Sequence, residues 1–400
     1  MSPASRAVLD LGSLGLDRGG DVLLRRALAA LPANHEVEVR GSSPDLALHL
    51  GALCRAGGHA LSEVASRLVV RRGSATDARW AGATRAGRAD ARVSGAVDEH
   101  PSARWGVAAR GALVEAGAPA FDFTLSDKDE VWADEAAGLY AQAAAAQWDP
   151  ATAIAWGTPF ELSDELEDAI VQIMTYLIEN ETAALQVPAR FLGRIHPHFR
   201  EVMQLLAIQA ADEARHIEVF TRRALLRRSQ LGLSSAGGQA SLLTLFEEPD
   251  FALASFLLSV LGEGTFLSLL WFLHEHAPDP ITKDVVRLAA QDEARHVSFG
   301  LAHLGRHLAR DPSLYRRLAL AVERRHDALR DTAGLNGEVW DALVVVAAGS
   351  LLPADVERGH GAVVALSQQM SDKRARRLER LGFAAAEARA LSDLHTRNFM

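Results

Sequence analysis

The chain has 400 residues, 48% of them hydrophobic, enough for a large core and for two domains. Its formal charge of −9 is spread over a mixed surface with only three lysines (Lys128, Lys283, Lys373), and the absence of a basic stripe argues against a nucleic-acid partner. A single cysteine, Cys54, excludes an internal disulfide and a cysteine-built zinc site.

The first residues, MSPASRAVLD, lack the charged-then-apolar layout of a signal peptide, and no uncharged run of about 18 residues could span a membrane. The expectation is a soluble, cytoplasmic protein with no membrane partner. Residues 7–14 and 36–40 are strand-like, 21–31 and 44–55 carry helical apolar spacing, and 61–71 alternate as further strands. The order β-α-β-α-β-β predicts a small α/β domain over residues 1–72. Residues 73–125, rich in Gly, Ala, Arg and Asp with weak periodicity, read as a linker or irregular wrap.

From about residue 126 to 400 the pattern is helical. Strong 3.6-residue periodicity covers 162–185, 198–228, 251–274 and 281–309, followed by 314–333, 338–352 and 361–391. The string Asp-Glu-Ala-Arg-His occurs twice, at 212–216 and 292–296. Each copy trails an earlier glutamate at almost the same distance, Glu213 lying 32 residues after Glu181 and Glu293 lying 30 after Glu263. In an antiparallel helix pair with a turn of about five residues, such spacing sets both glutamates level across the hairpin.

Glu213 and His216, like Glu293 and His296, are three residues apart and share a helix face. Two hairpins therefore pool four carboxylates and two imidazoles, more than one divalent ion can use. Two ions bridged by carboxylates can use them all, as in bundle-core di-iron and di-manganese sites. This donor set suits iron or manganese better than copper or structural zinc. The alternative is a solvated charged face. The apolar neighbours Ala207, Ile208, Ala210 and Ile217 in one copy, and Leu288, Ala289, Ala290 and Val297 in the other, favour metal, because unpaired buried charge is costly. Asp212 and Asp292 are placed to anchor the metal-bound imidazoles, with Arg215 and Arg295 neutralising them.

The layout Glu181, Glu213-x-x-His216, Glu263, Glu293-x-x-His296 resembles the ferritin-like di-iron carboxylate superfamily over residues 126–310. That group includes bacterial multicomponent monooxygenase hydroxylases, acyl-carrier desaturases, arylamine N-oxygenases, rubrerythrins and ribonucleotide reductase small subunits. The wording Asp-Glu-x-Arg-His is most similar to the monooxygenase subunits, while the spacings are closer to rubrerythrins. The resemblance implies a ferritin-like four-helix bundle with extra C-terminal helices, holding two Fe ions, or Mn/Fe as the alternative pair. It also implies O₂ activation to hydroxylate, N-oxygenate or desaturate a small organic substrate, with an electron-donor protein and a homo-oligomeric state.

Among the three tyrosines (Tyr140, Tyr176, Tyr315), Tyr176 is nearest to Glu181 in sequence but at an awkward angle for radical storage. His303 and His307 lie too far along the helix to ligate, and His303 is expected to be structural or to line an access path. The inward neighbours Leu177, Ala184, Gln209, Phe220, Leu267, Leu270 and Gly300 are expected to shape a substrate pocket. Residues 229–250 predict the long crossover of ferritin-like topology, making the second and third bundle helices parallel.

Residues 7–72, through DLGSLGLDRGGDVLL (residues 10–24), HEVEV and LCRAGGHAL, resemble TusA-type sulfur carriers. Where those carriers place their nucleophilic Cys and Pro-x-Pro, this chain has Arg18, Gly19 and Asp21, so the nucleophile is missing. Docking or oligomerisation is the plainer role. Two other functions stay open: a ferroxidase, peroxidase or iron-handling protein without an organic substrate, and a sulfur-relay or scaffold protein.

Overall fold

Strand β1 (Ala7–Asp10) pairs in parallel with β2 (Glu36–Arg40), and β2 continues antiparallel into β4 (Arg67–Arg71) and then β3 (Ala60–Val64), so the sheet order is β1-β2-β4-β3. Helix α1 (Gly20–Ala29) connects β1 to β2, and α2 (Leu46–Gly57) connects β2 to β3. The β3–β4 hairpin turns through Ala65 and Ser66, both at positive φ, as a two-residue primed turn requires. One face buries Leu24, Leu28, Val37, Val39, Leu50 and Val70, with Cys54 packed among them. The expected β-α-β-α-β-β order is the one found.

This computed structural model describes residues 7–329 and 337–396. The chain divides into two units, Met1–Asp90 with Ala108–Ala120, and Ala91–Val107 with Phe121–Met400. Residues 73–125, read as a linker or wrap, are thus shared between them. In the first unit they form a short ribbon pairing Thr84–Arg85 with Leu113–Val114.

The second unit is a ferritin-like bundle. After α3 (Ala136–Ala145) come α4 (Asp164–Leu192), α5 (Arg200–Ala224), a short α6 (Ala236–Phe246), α7 (Phe251–His276) and α8 (Pro280–Arg310). Helices α9 (Leu314–Leu329), α10 (Gly337–Ala348), α11 (Pro353–Leu381) and α12 (Ala385–Thr396) complete the unit. The starts are capped by local chemistry. Ser163 accepts from the amide of Leu166, Asp250 from Leu253, and Asp279 from Thr282, with Pro280 in the first turn of α8.

Helices α4, α5, α7 and α8 make the bundle, and contacts at its ends fix their directions. The end of α4 meets the start of α7, where Phe191 packs on Phe251 and Arg194 donates to the Pro249 carbonyl. At the opposite end, fully buried Arg223, from the last turn of α5, binds Glu167 at the start of α4. The same guanidinium binds Asp279 and Thr282 at the start of α8. Helices α5 and α7 are therefore parallel, as expected. The crossover between them is not an extended strap: α6 lies within it, because the Gly- and Ser-rich stretch starts a helix at the Ser235 cap.

The predicted helix over 361–391 is two helices, broken at Gly382, which takes φ 104° to end α11. The last part of the predicted 314–333 helix lies outside the described residues. Helix α7 has an 18-residue window of mean hydropathy 1.8, long and apolar enough to cross a membrane, yet 83% of that window is buried inside the protein. It is apolar all round because the bundle covers it all round.

Within α7, residues Phe256–Glu263 form π-helical turns, flanked by α-helix on both sides. A π-turn inserts a residue into the helical register and so re-aims the side chains beyond it. Here it re-aims Glu263. Gly300 of α8 allows for the wider turn: a Cβ there would lie 2.7 Å from the Cβ of Ser259.

Candidate metal centre

Glu181 comes from α4, Glu213 and His216 from α5, Glu263 from the end of the π segment, and Glu293 and His296 from α8. All six are at most 5% exposed. Their donor atoms fall into two overlapping sets, Glu181–Glu213–His216–Glu293 and Glu213–Glu263–Glu293–His296, with the atoms of each set within 4.8 Å of one another. Glu213 and Glu293 belong to both. That is the topology of two ions sharing two bridging carboxylates, each completed by one terminal glutamate and one histidine.

The inner nitrogen of each ring is Nδ1. For His216 it lies 3.1 Å from Glu213 Oε2, 3.5 Å from Glu293 Oε1 and 3.7 Å from Glu181 Oε2. For His296 it lies 3.0 Å from Glu213 Oε1 and 3.4 Å from Glu293 Oε2. Only His216 Nδ1 and Glu213 Oε2 of these are hydrogen-bonded to each other. His296 Nδ1, both oxygens of Glu293 and one oxygen each of Glu181, Glu213 and Glu263 are buried with no hydrogen-bond partner. Buried polar atoms are nearly always satisfied, so an inward-facing group of orphans fits the coordination of a cation. The residues present fit a pair of divalent ions.

The outer nitrogens are held crosswise. His216 Nε2 sits 3.2 Å from Asp292 Oδ2, and His296 Nε2 sits 3.3 Å from Asp212 Oδ2. Each aspartate anchors the histidine of the other motif. A carboxylate can only accept, so each ring presents an Nε2–H to its aspartate and leaves Nδ1 facing the cluster. Arg215 donates to Asp212 and, at 2.8 Å, to Asp292, and Arg295 pairs with Asp292 and with Asp212 at 3.5 Å. The repeated Asp and Arg thus lock the two helices together around the site.

Three supporting residues complete this frame. Gln147 donates to Asp212 at 2.8 Å, and Trp148 donates to Asp292 at 2.9 Å. The Trp148 ring stacks on His216 and carries Arg215 on its face. Gln147 and Trp148 lie in the loop after α3, where no periodicity marks them. Gln209, expected in the pocket, donates at 3.0 Å to Glu263 Oε1 instead. Its position one turn before Glu213 is the signal that points to this role.

Without metal the cluster shares protons. Burial pushes Glu181 well above the ordinary carboxylate range, helped by the charges of Glu213 and Glu293. Burial does the same to Glu263, helped by Glu293. Burial would lower both histidines, but it is outweighed: Asp292 leads in raising His216, and the charges of Glu213 and Glu293 lead for His296. Glu213 is held low against its burial by His296 and His216, and Asp292 likewise by His216 and Arg215.

The pocket differs in part from the one expected. A cavity of about 30 Å³ beside the cluster is lined by Glu181, Ala184, Glu263 and Glu293, with Leu242, Leu245, Leu257, Leu258, Phe266 and Arg325. Ala184 is among the expected residues; Gln209 borders a neighbouring cleft with Phe251 and Leu258. Leu177, Phe220 and Leu270 instead pack in the apolar core, with half-buried Leu267 against it, and Gly300 serves the close approach to Ser259. Helix-face reasoning places the pocket among the bundle helices, whereas α6, the π segment and α9 wall much of it. His303 is structural: its Nε2 lies 2.7 Å from the Glu130 carbonyl, and burial pushes it down to about 4. Tyr176 is buried against Phe266 and packs.

No protein-family model matches the chain, and no curated protein does. Among solved structures it is similar to a Synechococcus protein with aldehyde deformylating oxidase activity, at 17% identity over 57% of this chain and 96% of that one, with TM-score 0.42. It is also similar to an R2-like ligand-binding oxidase variant with an Fe/Fe cofactor, at 17% identity over 61% and 92%, with TM-score 0.48. The R2-like ligand-binding oxidase of Sulfolobus acidocaldarius gives 17% identity over 59% and 89%, with TM-score 0.38. At such identities and scores, none of the neighbours' chemistry transfers to this chain.

Proposed function

We propose that this protein is a non-haem di-iron carboxylate enzyme that activates O₂ to oxidise a small organic substrate. The observation that carries the reading is the pair of interlocking donor sets with their orphaned, inward-facing atoms. Glu181 and His216 would hold one ion, Glu263 and His296 the other, and Glu213 and Glu293 would bridge. Two reduced iron ions supply the electrons and Lewis acidity for O₂ reduction, and Mn/Fe is the alternative pair.

The protein's own contribution is positional. Asp212 and Asp292 fix the imidazole tautomers, and Gln209 orients Glu263. Trp148 and the flanking apolar clusters keep bulk water away. An electron-donor protein, a homo-oligomeric state and a cytoplasmic location belong to the same reading. Hydroxylation, N-oxygenation and desaturation all remain within its reach, with the monooxygenase resemblance favouring the first.

The small first unit is read as a docking or oligomerisation module of TusA-like form. Sulfur relay is disfavoured, because Cys54 is buried and burial pushes its thiol up, away from the thiolate.

One observation favours a second reading. About 30 Å³ is room for roughly two waters, enough for O₂ or peroxide but not for an organic molecule unless a wall such as Leu242 moves. A ferroxidase or peroxidase needs nothing larger. The deciding experiment is anaerobic Fe²⁺ loading, an O₂ pulse, and a count of Fe²⁺ oxidised and O₂ consumed with and without reductant. Sustained O₂ uptake coupled to oxidation of an added organic compound supports the oxygenase. Stoichiometric Fe²⁺ oxidation and iron release, with no organic product, supports iron handling.

A further inference from the structure

Arg325 is a buried charge that the metal centre does not use. It projects from α9, outside the four bundle helices, is 5% exposed, and lines the inner cavity. Two buried arginines of the bundle have carboxylates, Arg223 with Glu167 and Asp279 and Arg215 with Asp212 and Asp292, and buried Arg374 of α11 donates to Thr265 and Ser392. Among the described residues Arg325 has no carboxylate within ion-pair distance. Its Nη2 donates to Ser241 Oγ at 2.9 Å, and its Nη1 is buried with no hydrogen-bond partner. Burial pushes the guanidinium down to about 10.

An unpaired buried guanidinium is costly to keep, and a purely structural one gains most from a carboxylate partner. Its position supplies another reason. The cavity has Arg325 among its walls, the carboxylates Glu181, Glu263 and Glu293 of the cluster in its lining, and apolar side chains for the rest. Arg325 also borders an outer groove of about 380 Å³ alongside Glu248, Leu253 and Leu257. It therefore stands between the groove and the cavity, where an entering molecule would meet it.

We propose that Arg325 binds the carboxylate of the substrate, a small monoanion whose apolar body runs past Leu242, Leu257, Leu258 and Phe266 toward the metal centre. A carboxylate supplies both acceptor oxygens that the forked guanidinium needs, and Nη1 is free to take one. Neutral analogues would leave the charge unpaired. At about 30 Å³ the cavity admits the apolar body only if Leu242 swings aside, which limits that body to a few carbons. That the bound molecule is oxidised rests on the oxidase reading; that it binds does not.

The test is ligand-observed NMR of butyrate and butyramide with the full-length wild-type protein, Arg325→Met and Arg325→Lys, with metal content measured on the same samples. Wild type is expected to bind butyrate at least tenfold more tightly than butyramide. Arg325→Met should lose about 10–100-fold in butyrate affinity, the range for a charge-assisted pair, with little change for butyramide. Arg325→Lys should retain part of it. Metal content should not change, and the melting temperature of Arg325→Met should stay the same or rise, since an unpaired buried charge has been removed. Equal binding of butyrate and butyramide by wild type overturns the proposal without recourse to any variant. So does undiminished butyrate binding by Arg325→Met, which would place the anion on the metals. A protein that takes up no iron at saturating Fe²⁺ yet still selects butyrate through Arg325 supports the anion site while removing the oxidase reading.

Discussion

Replacing Asp292 with asparagine probes the frame around the metals without changing its volume. Asp292 accepts from Trp148 at 2.9 Å and Arg215 at 2.8 Å, pairs with Arg295, and holds His216 through Nε2 at 3.2 Å. Asparagine keeps one acceptor and turns an N–H₂ toward these donors, so His216 loses the carboxylate that fixes its tautomer and raises its basicity. Losses of this kind typically cost about 10–100-fold in metal affinity, or roughly 1.4–2.7 kcal/mol. The effect should be unequal. The ion held by His216 and Glu181 should weaken, while the ion held by His296, whose anchor is Asp212, should keep most of its affinity. Breaking a buried ion pair costs about 3–5 kcal/mol at full strength, and the metal-free variant should lose less because Arg215 retains Asp212. Anaerobic Fe²⁺ titration against a competing chelator, with a thermal melt of the metal-free protein, reads both quantities. Two sites of unchanged affinity in Asp292→Asn would refute the assignment of Asp292 as the imidazole anchor.

Three further outcomes are expected. Gly300→Val places side-chain carbon where Ser259 already sits and should cost about 1–3 kcal/mol by overpacking; because Ser259 and Glu263 share the π segment, metal content should fall with it, and a variant of wild-type melting temperature and iron content would contradict this. Arg223→Ala leaves Glu167 and Asp279 buried and unpaired at the bundle end and should destabilise by about 3–5 kcal/mol in chemical denaturation, whereas a loss under 1 kcal/mol would mean water or repacking satisfies them. Metal affinity should fall as pH falls: Glu181, Glu263, His216 and His296 all hold their protons more tightly than usual in the metal-free cluster, so metal must displace protons whose competition grows in acid. Calorimetry in buffers of different ionisation heat should register that release, and a pH-independent affinity would count against the cluster as described.

The features legible in the sequence are those written with a period or a repeat. The two Asp-Glu-Ala-Arg-His strings and their leading glutamates determine both the hairpin geometry and the six donors, because helical spacing converts residue number directly into height and face. The same arithmetic cannot anticipate the π segment, whose extra residue per turn changes the register through packing rather than composition. Nor can it find Gln147, Trp148 or Arg325, which reach the site from a loop and from a helix outside the bundle. Asp212 and Asp292 are recognisable as anchors, but their crosswise pairing depends on how α5 and α8 face one another, which only the folded chain determines. The pocket departs from expectation for the same reason: Leu177, Phe220 and Leu270 do face inward, yet their side of the bundle is filled.

The central claim is that two metal ions occupy this cluster, and a crystal structure of the anaerobically iron-loaded protein with anomalous scattering at the iron edge tests it most directly. The account predicts two iron peaks per chain about 3.5–4 Å apart, one bonded to His216 Nδ1 and Glu181, the other to His296 Nδ1 and Glu263, with Glu213 and Glu293 between them. No iron at saturating Fe²⁺, a single ion, or ions bound through the Nε2 atoms with Asp212 and Asp292 as ligands would contradict it.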